Sequence, residues 1–130
     1  EFILRLNPHL NKKSFIKKYK NLLKNIKISN STKLEKDISL CKFVLYRGST
    51  AVVEAMQQGL IPIYFYDINN QTQIDPLWQL KTKFVVKNHE ELESILKKNN
   101  INNNYKIKSY INFANKFYTP LNLKILRSIL

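Results

Sequence analysis

The sequence of 130 residues contains a single cysteine, Cys41. One thiol excludes an internal disulfide and a zinc site built from cysteines. We predict that Cys41 is a small buried thiol and not a nucleophile, because nothing in the sequence pairs it with a histidine that could activate it. The scarcity of cysteine is typical of a cytoplasmic protein, and that location is our expectation. No metal and no cofactor are predicted.

Long apolar runs are also lacking. No stretch approaches the roughly 18 unbroken apolar residues of a membrane-spanning helix. The longest run, residues 60–66, has the length of a buried strand. No signal peptide precedes the first apolar residues, and the chain begins at Glu1 and not at methionine. We therefore expect this chain to be part of a longer protein.

Acidic residues are scarce, since 9 of them accompany 22 lysines and arginines and give a net charge of +13. Such a charge suggests nucleic-acid binding. However, nearly all of the basic residues are lysines spread over the chain, whereas sequence-reading sites favour the bidentate fork of arginine. We predict a weak attraction to anionic phosphates, or a peripheral contact with the anionic inner face of the cell membrane, and we do not expect nucleic-acid binding to be the main function.

Strand-like and helix-like patterns alternate along the chain in units of about 25 residues, which is typical of α/β proteins. The alternation predicts one Rossmann-like domain over residues 1–130. We expect a three-layer architecture with a parallel sheet of about five strands and C-terminal helices. The predicted strands are residues 1–6, 26–29, 43–46, 60–66 and 84–86. The predicted helices are residues 14–25, 32–41, 49–58, 89–98 and 105–118, followed by a helical segment from Pro120.

The turn after the third predicted strand carries the most informative pattern. Arg47, Gly48, Ser49 and Thr50 follow a strand and precede a helix. Ligands of parallel α/β sheets bind where strands end and the chain turns into a helix. Glycine permits close approach to the backbone, hydroxyls and helix N–H groups bind phosphate, and the arginine fork suits a diphosphate. The alternative is that Ser49 only caps the helix.

Three further polar residues are candidates for the same site. Glu54 lies one turn inside the helix, where a carboxylate can accept hydrogen bonds from ribose hydroxyls, or it is a solvated surface acid. His9 follows the first strand and can face the nucleotide, although a loop histidine without a partner is usually incidental. Asp67 ends the fourth strand, and the loop that begins there crosses the same edge of the sheet. Within that loop, residues 75–78 can form a surface segment held by a buried Trp78.

The helix after this turn contains Ala51 and Glu54-Ala55-Met56 and is predicted to be closed by Gly59, and the next strand contains Pro62-Ile63. Together with Gly48-Ser49-Thr50, this run resembles the donor-binding signature of glycosyltransferases with the GT-B fold. It also resembles the related capsule and surface-polysaccharide transferases. In those families the helix N-terminus binds the nucleotide diphosphate, and the glutamate before Ala-Met contacts the ribose. The resemblance therefore implies that Ser49 and Thr50 contact phosphate and that Glu54 contacts ribose. It also implies that Asp67 contacts the sugar, with residues 75–78 shaping the donor pocket as the alternative to a surface loop.

Three features depart from the pattern of these families. Tyr46 stands where many retaining members carry a second glutamate, which argues against that subgroup. The spacing from Gly59 to Pro62 is one residue longer than usual. Asn7-Pro8-His9 stands where some sialyltransferase-like families have a His-Pro pair.

The resemblance implies that the chain is the C-terminal, donor-binding half of a glycosyltransferase acting in surface-polysaccharide or glycolipid synthesis. The partners are then a nucleotide sugar and a missing N-terminal acceptor domain. Because the usual catalytic base belongs to the acceptor domain, we assign no catalytic residue and expect the isolated chain to be inactive. Two alternatives stay open, namely half of a sugar-nucleotide epimerase and a basic module that binds RNA or anionic lipid.

Overall fold

The computed structural model describes residues 2–69, 74–98 and 104–118. Its backbone groups into two compact units, Glu1–Leu40 and Cys41–Leu130. Both units contain helices and parallel strands, and the described residues form five strands in total. The predicted α/β class, the parallel pairing and the number of strands are therefore confirmed. The expectation of one domain over residues 1–130 stays a prediction.

The first unit contains β1 (Phe2–Leu4), α1 (Lys12–Lys18), β2 (Ile26–Ile28) and α2 (Leu34–Ile38). β1 and β2 pair in parallel. The helix predicted over residues 14–25 ends early. Hydrogen-bonded turns follow it up to β2, in which an N–H donates to a carbonyl three or four residues earlier in the chain. Lysines one turn apart repel along this stretch, and asparagine is a weak helix former, so the helix is not extended.

The second unit contains β3 (Phe43–Tyr46), α3 (Ala51–Gln57), β4 (Ile61–Phe65), β5 (Phe84–Val86), α4 (His89–Lys97) and α5 (Asn104–Phe117). Its strands form a parallel sheet in the order β3-β4-β5. Leu45 on β3 lies opposite Ile63 on β4, which lies opposite Phe84 on β5. The carboxyl ends of β3 and β4 therefore meet at one edge of the sheet.

The α/β architecture is roughly Rossmann-like, but the five parallel strands of the described residues are divided between two small sheets. One sheet has two strands and the other has three, without a clear three-layer arrangement. Alternation of strand and helix patterns identifies the elements. The pairing of strands across a crossover depends on tertiary packing, which local sequence does not encode.

The core of the second unit lies around α3. Val52, Val53 and Met56 are almost completely buried, and α3 packs against α5, where Tyr110 is also buried. The helix ends in a Schellman motif, in which the Gly59 N–H donates to Met56 O (2.9 Å) and the next N–H donates to Ala55 O (3.0 Å). Gly59 has a φ of 86°, which confirms the prediction that it closes this helix.

Among the described helices, none has both the length and the apolar character required to cross a membrane. The helical segment predicted from Pro120 lies outside the described residues. Cys41 was predicted to be buried, but it is partly exposed in the turn that leads into β3.

Candidate functional site

The predicted turn lies at the carboxyl edge of the three-stranded sheet. β3 ends at Tyr46 and is followed directly by Arg47, while Asp67 lies two residues beyond the end of β4. An Arg47 terminal nitrogen lies 3.2 Å from Asp67 Oδ2, and each side chain is about a quarter exposed. This ion pair brings together two of the predicted site residues from neighbouring strands.

Gly48 gives the turn its backbone conformation. Its φ of 68° lies in the left-handed region, where a side chain would be strained. The following helix has Thr50 at its N-cap position, and the Thr50 side chain makes no capping hydrogen bond. Ser49 performs part of the capping instead, because its Oγ accepts a hydrogen bond from the Ala51 N–H at 3.3 Å. The hydroxyl hydrogens of both residues can still be donated to a ligand.

The N–H groups at the start of α3 are less available than the sequence suggested. The Val52 N–H donates to Ser49 O at 3.4 Å, and the Val53 N–H donates to Thr50 O at 2.9 Å. At this turn, the N–H groups of Gly48, Ser49 and Thr50 make no hydrogen bond to the described part of the chain. Since α3 has only seven residues, its dipole is small, and an anion would be bound by the turn itself.

Glu54 and His9 are both exposed. Glu54 lies in the first turn of α3, between the buried residues Val53 and Ala55, and therefore projects from the solvent-facing side of the helix. His9 belongs to the first unit, where its backbone N–H donates to Asn7 Oδ1 at 2.9 Å. The ribose contact of Glu54 and the nucleotide contact of His9 stay predictions.

A part-buried polar cluster beside the turn was not predicted from the sequence. The Asp75 carboxylate accepts hydrogen bonds from the Tyr46 hydroxyl and from the Leu77 N–H, both at 2.9 Å. It also forms an ion pair with Lys83 Nζ at 3.0 Å, and the two side chains are only 13% and 9% exposed. Lys83 donates further hydrogen bonds to Leu77 O and Leu80 O. The cluster ties the 74–83 loop to the end of β3.

The tyrosines of this cluster are donors and not bases. Burial raises the pKa of Tyr46, and the hydrogen bond to Asp75 and the negative charge of that carboxylate raise it further. Burial also raises the pKa of Tyr64, again with a contribution from the Asp75 charge. Both phenols therefore keep their protons near neutral pH and do not act as bases there.

The prediction of a loop held by a buried Trp78 is wrong. Trp78 is 62% exposed, whereas its neighbour Leu77 is completely buried and Leu80 is nearly so. Two adjacent apolar side chains in a turn point in different directions, so only one of them enters the core. Local sequence does not show which of the two this will be.

The strand edge of the first unit is occupied by its own side chains. Arg5, directly after β1, lies 2.6 Å from Asp37 Oδ2 and donates to the carbonyls of Ser31 and Thr32 at 3.1 and 3.0 Å. The Ser29 hydroxyl, directly after β2, donates to the same carboxylate at 2.7 Å. Burial opposes ionisation of Asp37, but these hydrogen bonds and the charge of Arg5 outweigh it and lower its pKa.

Comparison of the chain with protein-family models, with curated proteins and with solved structures finds no significant match. The described residues also contain no group of three or more His, Cys, Asp and Glu side chains that could hold a metal ion. The function of the chain is therefore inferred from the geometry of its two strand edges and from the sequence signature.

Proposed function

We propose that the second unit binds the diphosphate of a nucleotide sugar at residues 47–50. The chain would act in this way as the donor-binding half of a glycosyltransferase in surface-polysaccharide or glycolipid synthesis. The observation that carries the proposal is the left-handed Gly48 turn at the end of β3. Its three unpartnered N–H groups lie next to the guanidinium of Arg47, which is held at the neighbouring strand end.

The turn supplies what a diphosphate requires. Backbone N–H groups of successive turn residues form a small anion-binding concavity, and hydroxyl groups add donors around it. Here the N–H groups of Gly48, Ser49 and Thr50 are supplemented by two hydroxyls. Arg47 supplies the charge, because a guanidinium binds phosphate through paired N–H bonds.

The Arg47–Asp67 ion pair suggests how the site would respond to its ligand. A diphosphate carries more charge than one carboxylate and can replace Asp67 at the guanidinium. The released carboxylate would then accept hydrogen bonds from hydroxyls of the donor sugar. This exchange gives Asp67 the sugar-contacting role that its position at the end of β4 predicts.

Glu54 provides the third part of the donor site. Its exposed carboxylate lies in the first turn of α3, one helical turn after Thr50. A ribose carries two neighbouring hydroxyls, and one carboxylate can accept a hydrogen bond from each. The phosphates would then lie on the turn and the ribose along the start of the helix.

Calorimetric titration of the chain with UDP, GDP and CMP tests this proposal. We expect saturable binding that Arg47→Ala weakens by about tenfold or more, since a hydrogen bond to a charged group is worth about 1.5–3 kcal/mol. Lys42→Ala is the matched control, because Lys42 is an exposed cation at the opposite end of β3. That control should leave the affinity unchanged.

The salt dependence separates this proposal from a basic module that binds nucleic acid. Nucleotide affinity should change little between low and moderate salt, because few ion contacts form. Polyanion binding that falls steeply with salt would indicate counterion release from a nucleic acid. Equal losses for Arg47→Ala and Lys42→Ala would contradict the site and favour a diffuse attraction by the net charge of +13.

A further inference from the structure

Tyr64 carries a hydroxyl group that the described part of the chain leaves unbound. It is the next-to-last residue of β4 and is partly buried. Its hydroxyl makes no hydrogen bond to the described residues, whereas that of Tyr46 donates to the Asp75 carboxylate. Among the described residues, no buried side-chain oxygen lacks a partner, so the Tyr64 hydroxyl is accessible to solvent and to a ligand.

Tyr64 lies on the face of the sheet that α3 covers. It is the register partner of Tyr46, the last residue of β3, and register partners on neighbouring parallel strands project to the same face. The two rings lie side by side, with 5.4 Å between their centroids. Tyr46 packs in one core cluster with Val52 and Val53 of α3, and Tyr64 packs against that cluster. Residues 47–50 connect the end of β3 to this helix, so the turn crosses the sheet edge on the side where Tyr64 lies.

The positive charge of Arg47 acts on the Tyr64 phenol. Burial, followed by the negative charge of Asp75, raises the pKa of Tyr64, and the charge of Arg47 opposes this rise. The guanidinium and the phenol are therefore within electrostatic range of each other. Because the net shift is upward, the hydroxyl keeps its proton at neutral pH and can act as a hydrogen-bond donor.

We infer that the Tyr64 hydroxyl donates a hydrogen bond to a phosphate oxygen of the bound nucleotide, an inference that rests on the proposed function and deepens it. The turn after β3 supplies backbone N–H groups and the guanidinium of Arg47. Tyr64 adds a neutral donor from the neighbouring strand, so that the phosphates are bound from two strands. A hydrogen bond to an ionised phosphate is stronger than one between neutral groups.

The competing role of Tyr64 is packing alone, with its hydroxyl bound only by water. Packing requires the ring and not the hydroxyl, so the two roles differ in the effect of removing one oxygen atom. If Tyr64 only packs, Tyr64→Phe leaves ligand binding unchanged. If the hydroxyl binds phosphate, the same variant keeps the core and loses affinity.

Calorimetric titration of the full chain with UDP, GDP and CMP tests the inference on matched variants. We expect Tyr64→Phe to keep the melting temperature and to bind nucleotide about tenfold more weakly, as for a lost hydrogen bond to a charged group. Tyr110→Phe is the control, because the Tyr110 side chain is buried and its hydroxyl donates to Thr82 O at 2.9 Å. That variant should lose thermal stability and keep full affinity.

Carbon NMR of a chain labelled at the tyrosine Cζ atoms reports on the hydroxyl itself. The Tyr64 signal, identified by its loss in Tyr64→Phe, should shift as nucleotide is added, whereas the Tyr110 signal should not. An unmoved Tyr64 signal with bound nucleotide, or full affinity in Tyr64→Phe, would overturn the inference while the proposed function stands. A fall in melting temperature that accompanies the lost affinity would assign Tyr64 a structural role and also overturn it. Absence of binding for all three nucleotides would overturn both proposals.

Discussion

The two units present similar strand edges in opposite states. In the first, Arg5 is enclosed by Asp37 and two carbonyl groups, and the Ser29 hydroxyl donates to the same carboxylate. In the second, Gly48 leaves backbone N–H groups without partners beside Arg47. The two edges therefore differ in the backbone N–H groups that stay without partners, and not in ion pairing, since Arg47 pairs with Asp67 just as Arg5 pairs with Asp37.

Glycine content explains much of this difference. Both glycines of the chain lie in the second unit, and both have positive φ. The first unit builds its turns from polar side chains, as where the Ser31 N–H donates to Ser29 Oγ at 3.1 Å. A side chain that bonds its own backbone removes donors that a ligand would need.

The largest expected effect is the loss of the largely buried ion pair in the second unit. Asp75→Ala leaves the Lys83 ammonium, whose side chain is 9% exposed, without its counterion, which should lower the free energy of unfolding by about 3 kcal/mol. Asp37→Ala, in the first unit, should cost less, because its partner Arg5 is 32% exposed. Urea unfolding measures both, and the fluorescence of Trp78 reports on the second unit. Equal losses would show that burial does not distinguish the two pairs.

Alanine variants of the two glycines distinguish the effect of backbone strain on stability from a direct effect on nucleotide binding. Alanine at Gly48 or at Gly59 must adopt positive φ, which costs about 1–2 kcal/mol. At Gly59 the new Cβ would meet Ile107 Cγ2 at 3.6 Å, an ordinary contact, so strain is the main effect. We expect both variants to lose stability in thermal unfolding, and only Gly48→Ala to lose nucleotide affinity in calorimetry. A loss of affinity in both would indicate a general effect of destabilisation.

Acid should weaken the first unit through Asp37. Its pKa is lower in the folded state, so the stability it contributes is present above the unfolded value of about 3.9 and is lost as the pH falls through the folded value. Asp37→Asn should flatten this part of the stability curve. Carbon NMR of the carboxyl group gives the pKa directly, and a value at or above about 3.9 would contradict the network.

The smallest effect on stability is expected at Glu54. Glu54→Gln removes a charge from an exposed site and should change the free energy of unfolding by no more than about 0.5 kcal/mol. It should nevertheless weaken nucleotide binding, because the amide replaces one acceptor oxygen with a donor. Calorimetry and melting temperature on the same variant measure the two effects. Unchanged affinity would show that Glu54 is a solvated surface acid that does not contact the nucleotide.

Local patterns predicted the α/β class, the helix end at Gly59 and the meeting of Arg47 with Asp67 at one edge. These features follow from periodicity and from the geometry of parallel strands. The division into two sheets and the Asp75–Lys83 pair depend on which segments pack together, and local sequence does not determine that. The hydrogen bonds that occupy the first N–H groups of α3 depend on the backbone conformation within a single turn, which the sequence pattern does not show.

The most direct test of the account is NMR mapping of backbone amides as UDP, GDP or CMP is added at millimolar concentration. The contrast between the two edges predicts that the amides of Gly48, Ser49 and Thr50 shift, while those of Ser29 and Ser31 in the first unit do not. Unmoved amides at the glycine turn with all three nucleotides, or shifts confined to the first unit, would contradict the assignment of the open edge as the nucleotide site.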